Sequence, residues 1–432
     1  MSSPTVSTRL QRIAEQARQY PAMLFMTLAH LIDVDMLRDA YHQTRRDGAP
    51  GVDGVTAAEY GANLEANLAD LHARLRNGRY YAPPVKRAYV PKEDGSQRPI
   101  GMPAFEDKLV QRAVAMVVGA IYEQDFQDCS YGFREGRSPH QALHELRERC
   151  MHEHIGWIID ADVSAFFDSL DHDLLCEVLR QRVNDGAILR LIRKWLKAGV
   201  LEGGTLSYPE RGSPQGGVIS PLLANIFLDH VLDEGFAREV KPRMKGRCHL
   251  IRFADDFVIG CEREDDARRI LAVLPRRFAR FHLSIHPQKT RLVRFQPQGS
   301  PAPGGGGDGT FDFLGLTHYW AKSRRGYWVI KRRTAKNRLR RAMRAVWHWC
   351  RVHRHEPIRE QYRQLRAKLR GHYQYYGIRG NYRKLEALYR GVEHAWRYWL
   401  SRRGGPRTIR WETFAKLRAV LPLPTPRIVH SI

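Results

Sequence analysis

Cysteine is scarce in this chain: six residues in 432, at positions 129, 150, 176, 248, 261 and 350, with no close pair and no Cys/His set at zinc-finger spacing. Neither a disulfide framework nor a small zinc module is indicated. Long apolar runs are missing too. Nowhere do about 18 uncharged apolar residues stand together, and the N-terminus MSSPTVSTRLQRIAEQARQY lacks a basic head followed by an apolar stretch. A soluble, cytoplasmic protein is expected. There is no Gly-rich phosphate loop ending in Gly-Lys-Ser/Thr, and no internal repeat. Acidic residues are depleted in one region only: residues 321–432 hold 5 Asp/Glu against 30 Lys/Arg, whereas residues 1–320 hold 41 of each. The whole net charge of +25 therefore sits in the last quarter.

A hydrophobic content of 43% over this length can supply real cores in two or three domains. The basic last quarter is laced with rings, among them Trp320, Tyr327, Trp328, Trp347, Trp349, Tyr373, Tyr375, Tyr376, Trp396 and Trp399. A merely solvated helix face carries mixed signs. Unopposed cations interleaved with rings are instead the footprint of a surface that neutralises phosphates.

Along the chain, the first 80 residues read as helical, interrupted by the turn-rich RRDGAPGVDGVT at 45–56. A hairpin is expected over 84–103, with Asp94-Gly95 as its tight turn. FEDKLVQRAVAMVVGAIYEQDF has helical apolar spacing, and strands are expected at 156–167 and 248–260 with helices between them. QPQGSPAPGGGGDGT, at 296–310, reads as a flexible insertion, and FDFLGLTHYW after it as a strand belonging with the preceding sheet. Three basic helices are expected near 331–354, 358–377 and 381–403.

In IRFADDFVIG, at 251–260, Asp255 and Asp256 interrupt residues fit for an interior. Most Asp-Asp pairs are solvent-facing turns. Here Ile251 and Phe253 precede the pair, and Phe257, Val258 and Ile259 follow it, which reads as two buried strands joined at an acidic tip. Charge beside a core is costly unless paired or bound to metal. In IIDADVSAFFD a second acidic strand puts Asp160 and Asp162 on one face, and either could join the tip. Such oxygens suit Mg²⁺, and two ions about 3.5–4 Å apart would activate a primer 3′-hydroxyl and stabilise leaving pyrophosphate. His140 and His144 share a helix face but have no evident third ligand, so ordinary histidines are expected there.

An ordered set of motifs spans nearly the whole chain: RRDGAPGVDGVTAAEY, VPKEDGSQRPIGMPAFEDKLVQ, CSYGFREGRSPHQAL, DADVSAFFDSLDH, RGSPQGGVISPLLANIFL, RFADDFVIG, LSIHPQKT and FDFLGL. In kind and order it resembles the reverse transcriptases encoded by bacterial group II introns, the intron reverse transcriptase/maturase family. The resemblance implies an α+β right-hand polymerase. A helical N-terminal extension (1–80) would precede fingers and palm with an antiparallel palm sheet (81–320), followed by an α-helical thumb or maturase domain (321–403) and a short basic appendage (404–432) able to touch target DNA.

By position, the resemblance makes Asp162, Asp255 and Asp256 the catalytic metal-binding aspartates, joined as a metal ligand by Val163, and so selects Asp162 over Asp160. It places Lys92, Arg98, Phe167, Gln215 and Val163 at the dNTP, with the Phe167 ring excluding a 2′-hydroxyl. It assigns Lys289 as the general acid toward pyrophosphate, and Phe253, Phe313, Leu314 and Gly315 as the primer grip. Two departures stand out. Phe253 replaces the usual tyrosine before Ala-Asp-Asp, which removes a hydroxyl contact, and no Cys/His-rich HNH nuclease module follows the thumb. The implied cofactors are two Mg²⁺ ions. The implied partners are intron RNA template, a DNA or RNA primer, dNTPs and target DNA. A domesticated reverse transcriptase serving a host or phage-defence system, and a splicing-only RNA-binding maturase, are the rival readings.

Overall fold

The computed structural model describes residues 4–91, 97–208, 211–212, 216–297, 309–404 and 408–432. The chain opens with four helices: α1 (Pro4–Gln19), α2 (Val34–Gln43), α3 (Ala57–Ala62) and α4 (Leu64–Arg76). Local chemistry starts them. Asp33 caps α2 by accepting from the Met36 amide, and Thr56 and Glu59 form a reciprocal capping box at α3. The turn-rich stretch between α2 and α3 is irregular, as expected. A Cβ on Gly51 would fall 2.5 Å from the Ala104 Cα, so glycine is what lets this loop lie against the chain there.

Strands β1 (Val85–Pro91) and β2 (Gln97–Met102) pair antiparallel, with Pro91 opposite Gln97. The expected Asp94-Gly95 turn lies outside the described residues. Next come α5 (Phe105–Asp125), α6 (Pro139–His152), β3 (Trp157–Asp162), α7 (Phe166–Ser169), α8 (His172–Arg180) and α9 (Gly186–Leu196). Two short strands, β4 (Val200–Glu202) and β5 (Thr205–Ser207), interrupt an interval expected to be helical and extend the first sheet to the order β2-β1-β4-β5. Three residues each is too short for a periodicity signal. Helix α10 (Ser220–Leu228) runs on into π-helical turns at Asp229–Asp233 and Phe236–Val240. Then follow β6 (Cys248–Phe253), β7 (Asp256–Cys261), α11 (Glu264–Ala279) and β8 (Arg291–Arg294), with strand order β6-β7-β3-β8 in the second sheet.

FDFLGLTHYW does not join that sheet. Together with the residues after it, it forms a separate one, of order β11-β10-β9, from β9 (Phe311–Phe313), β10 (Leu316–Lys322) and β11 (Trp328–Thr334). The residues from 331 expected to begin a helix are the end of β11, where Lys331 pairs with Tyr319. Their side chains are ambiguous in isolation, and the ladder to β10 decides. The last helices are α12 (Lys336–Val352), α13 (Ile358–Tyr376), α14 (Tyr382–Leu400) and α15 (Trp411–Val420).

The chain divides into two compact units. Unit one holds Met1–Ser138, Ala161–Ile259 and Asp265–Arg291; unit two holds Pro139–Asp160, Gly260–Glu264 and Leu292–Ile432. In unit one α5 is the central post: Leu109, Val110, Ala113, Val114, Val117, Val118 and Ile121 are wholly buried, and α1 and α2 pack on it. Each of the leucine, valine and isoleucine side chains among them contributes about 1.5–3 kcal/mol through removal from water. In unit two the bundle core includes Val346, Leu365, Leu369, Tyr373, Leu388 and Trp396. The segment after 404 is drawn into that bundle: Phe414 and Leu423 are buried in its core, and the Val429 and His430 amides donate to the Gly377 carbonyl at 2.6 and 2.9 Å. Among the described residues no helix is long and apolar enough to cross a membrane.

Candidate active site

Strands β6 and β7 form a tight hairpin whose tip is Ala254–Asp255, with Asp256 opening β7. Ala254 has φ 58°, a left-handed conformation that costs a non-glycine residue about 1–2 kcal/mol. The surroundings hold it there. Arg252, fully buried one turn of strand earlier, donates from Nη1 to the Ala254 carbonyl at 3.1 Å and to Asn225 Oδ1 at 3.0 Å. Its Nε reaches both oxygens of Asp233 at 2.8 and 2.9 Å, and Nη2 reaches Ser130 Oγ at 2.8 Å. Asn225 then donates to the Gly132 carbonyl at 2.7 Å. On the neighbouring segment, Tyr131 and Arg252 exchange backbone contact, the Tyr131 amide donating to the Arg252 carbonyl at 2.9 Å. Gly132 lies against the tip itself, because a Cβ there would come 2.3 Å from the Ala254 nitrogen. Sequence reading missed this support. Arg252 stood in the quoted motif, but nothing in one sequence says that an arginine in a strand faces inward.

Asp162 ends β3 and is held by the segment around LSIHPQKT. Val163 bridges Ile285, the Asp162 carbonyl accepts from the His286 amide at 2.8 Å, and the Ser164 amide donates to the Ser284 carbonyl at 2.8 Å. That arrangement delivers Lys289, whose Nζ lies 2.8 Å from Asp162 Oδ2. Burial pushes the Asp255 carboxyl up, and the negative charge of Asp162 pushes it the same way. Its own amide, Arg98 and Arg252 pull in the opposite direction. Thus Asp162, Asp255, Arg98 and Lys289, drawn from 191 residues' worth of sequence between positions 98 and 289, share one electrostatic neighbourhood.

Other expected positions fall nearby in sequence or on adjoining backbone. Phe167 is half-buried and packs edge-on to buried Phe166, their centroids 5.3 Å apart. Gly212, at φ 92°, has no room for a Cβ, which would meet the Phe167 and Asp168 carbonyls at 3.0 Å. Gly216 would likewise strike the Gly101 carbonyl at 2.5 Å, so the start and end of RGSPQGG run close along other backbone. Lys92 and Gln215 lie outside the described residues. Phe253 is half-buried at the end of β6.

In unit two, Leu314 and Gly315 form a left-handed turn with φ 50° and 75° between β9 and β10. The Phe313 ring is buried, so this side chain packs inward and only the turn is presented. Tyr375 Oη donates to the Leu314 carbonyl at 3.0 Å, and the Ala335 amide donates to the Gly315 carbonyl at 3.1 Å. His140 Nε2 is 2.8 Å from the Tyr375 carbonyl, and its ring stacks on His430 at 3.7 Å.

The donor set fits a divalent cation. Burial and the charge of Asp162 both raise the cost of ionising Asp255, and the Lys289 ammonium lies against Asp162, so these oxygens have the hard, anionic character a divalent cation takes. Among the described residues no three Asp, Glu, His or Cys side chains close to liganding distance of one point.

Comparison with known proteins identifies the family of this chain. Residues 90–318, more than half of the chain, match the family model described as reverse transcriptase (RNA-dependent DNA polymerase). Protein YkfC of Escherichia coli K12 is 38% identical over 59% of this chain and 75% of its own length. The group II intron-encoded protein LtrA of Lactococcus lactis is 34% identical over 56% of this chain, a match spanning only 40% of LtrA. An uncharacterised 91 kDa protein in the cob intron of Schizosaccharomyces pombe is 32% identical over 54% of this chain and 29% of its own length. With the acidic hairpin, the second aspartate and the lysine all inside the matched span, the chain belongs to the reverse transcriptase family of RNA-dependent DNA polymerases.

Proposed function

We propose that this chain is the RNA-directed DNA polymerase of a group II intron. It copies intron RNA into cDNA, and it grips the same RNA to assist splicing as a maturase. The observation that carries the polymerase reading is that strand β3, ending at Asp162, neighbours β7, which Asp256 opens just after Asp255, so aspartates from 93 positions apart in sequence meet at one end of a sheet. In this reading Asp162, Asp255, Asp256 and the Val163 carbonyl hold two Mg²⁺ ions, which supply activation of the primer 3′-hydroxyl and charge stabilisation at the α-phosphate. Arg98, with Lys92 and Gln215, receives the incoming triphosphate and sugar. Phe167 shapes the sugar pocket against a 2′-hydroxyl. Lys289 holds a proton on Nζ for the departing pyrophosphate. Phe253 on its unit, and the Leu314–Gly315 turn on the other, are each assigned to primer contact by resemblance.

The maturase reading is supported by the intron-borne names of the relatives, the plant Nuclear intron maturase 1 of Arabidopsis thaliana among them at 33% identity over 22% of this chain, and by the 30-to-5 charge imbalance of the last 112 residues. Helices α12 to α14 serve as thumb and RNA grip. The segment after 404 contributes contacts to target DNA. Primer extension on an RNA template, with and without Mg²⁺, tests the core of this. Wild type extends only with the ion, and Asp255→Asn loses about 10²–10³-fold, the order expected when a charge-stabilising group is removed. Equal and negligible extension by both proteins would leave RNA binding alone.

A further inference from the structure

Two kinds of tryptophan occupy the helical bundle of unit two. Trp396 is of the first kind: wholly buried, edge-on to Phe414 at 5.6 Å, with Nε1 donating to Gln361 Oε1 at 3.1 Å. It holds helices together. Trp347 on α12 and Trp411 at the start of α15 are of the second kind, 36% and 50% exposed. They flank a continuous group of rings on the seam of α12 and α14. Trp347 lies 4.7 Å from Tyr398 at 38° and 6.1 Å from His394 at 19°, and His394 lies 6.5 Å from Trp411 at 38°.

Arginines line the same rings. The Arg402 guanidinium carbon is 3.5 Å from the Tyr398 centroid, Arg397 is 4.3 Å from Trp411, and Arg351 is 5.9 Å from Trp399, itself packed edge-on to Trp347. The nearby acid on α14, Glu393, is already paired with Arg418 at 2.8 Å. A cluster serving only to close the bundle would bury its outer rings, as Trp396 is buried. A second copy of this chain would bring the same cations and a further net charge of +25.

We infer that this ring cluster is a stacking platform for unpaired bases of a single-stranded nucleic acid, with the arginines taking its phosphates. The inference rests on the nucleic-acid reading above and adds a site and a substrate form to it. Bases inside a duplex are already stacked on each other and offer no free face, whereas a looped-out or single-stranded base does. Ring stacking does not by itself discriminate ribose from deoxyribose, so RNA and DNA strands are both candidates and are separated by test.

The experiment measures binding of the full chain to fluorescent polyadenylate RNA, to its deoxy counterpart and to a blunt RNA duplex. Wild type is compared with the W347A/W411A double variant and with W347F/W411F. Both positions are exposed, and matching melting temperatures establish that the variants are folded. The Ala variant is expected to bind a single strand about tenfold more weakly, with a change under about twofold on the duplex, and the Phe variant to recover most of the loss. A larger loss on one single strand than the other names the sugar. Equal single-strand affinity of wild type and the Ala variant overturns the platform, as does an equal loss on duplex. So does a change in self-association by sedimentation without a change in strand affinity, which would mark a protein-docking face. Wild type binding none of the three probes would instead bring down the nucleic-acid reading itself.

Discussion

Lys289 Nζ sits 2.8 Å from Asp162 Oδ2, an ion pair joining residues 127 positions apart, both of them substantially exposed. Exposure keeps the pair weak, so it yields to a competing cation. In Lys289→Ala the Mg²⁺ concentration giving half-maximal extension should fall, because Asp162 no longer has a resident positive charge. The same change should lower kcat by about 10²-fold through loss of a proton donor. A titration of extension rate against Mg²⁺ reads both numbers, and an unchanged kcat would remove Lys289 from the chemistry.

Asp255 carries a carboxyl whose affinity for protons is raised in the fold, by burial first and by Asp162 as well. A raised carboxyl favours folding while protonated, and that contribution fades as pH rises through its folded value. At neutral pH the charged residue is therefore a burden on stability. Asp255→Asn should melt at a higher temperature than wild type at pH 7 and lose the difference in acid, while losing polymerisation. Differential scanning calorimetry at two pH values checks it, and a lower melting temperature at pH 7 would contradict the raised carboxyl.

Asp107 gives a second pH signature, away from the chemistry. It is 2% exposed, accepts a hydrogen bond from Tyr80 Oη, and burial pushes its carboxyl up to about 7. The fold binds this proton more tightly than the unfolded chain, so stability declines as pH rises from about 4 to about 7, by up to about 4 kcal/mol. Asp107→Asn should flatten that part of a denaturant-derived stability profile. A wild-type profile that rises over the same interval with the same slope in the variant would refute the assignment.

Arg252 and Asp233 are both without solvent exposure. Removing one partner strands a buried charge, so Arg252→Met should cost about 3–5 kcal/mol, while Arg252→Met with Asp233→Leu should recover much of it. Extension should not recover in the double variant, because the guanidinium also holds the Ala254 carbonyl and Asn225. Urea melts and primer extension on the same samples separate the two effects. Recovery of both would reduce Arg252 to a packing residue.

The 30-to-5 imbalance beyond residue 320 predicts template-primer affinity that falls steeply and linearly on a log-log plot against salt. A flat response between low and moderate salt would mean that the basic helices are not the main grip.

The acidic hairpin was legible because its evidence is local: two aspartates between apolar runs read as a turn between buried strands. The hairpin of β1 and β2 and the long helix α5 were legible for the same reason, one from its turn residues and one from its period. The choice of Asp162 over Asp160 was not, since both alternate onto one face of the strand and resemblance alone separated them. The Arg252 network escaped because its members, Ser130, Asn225, Asp233 and Arg252, come from three stretches of chain far apart in sequence, and each is an ordinary polar residue in its own context. Strand β11 was mistaken for a helix start because Lys331–Thr334 owe their conformation to a ladder with β10, a partner that no local pattern announces.

The acidic turn rests against a residue with no side chain at all. Since even a methyl group at position 132 would collide with the Ala254 nitrogen, that position is closed to variation by packing alone. Anyone diversifying this enzyme for altered nucleotide choice should leave Gly132 fixed and place the library on the opposite side of the turn. Substitutions at 132 would read as catalytic defects while acting only by prising the loop off its seat.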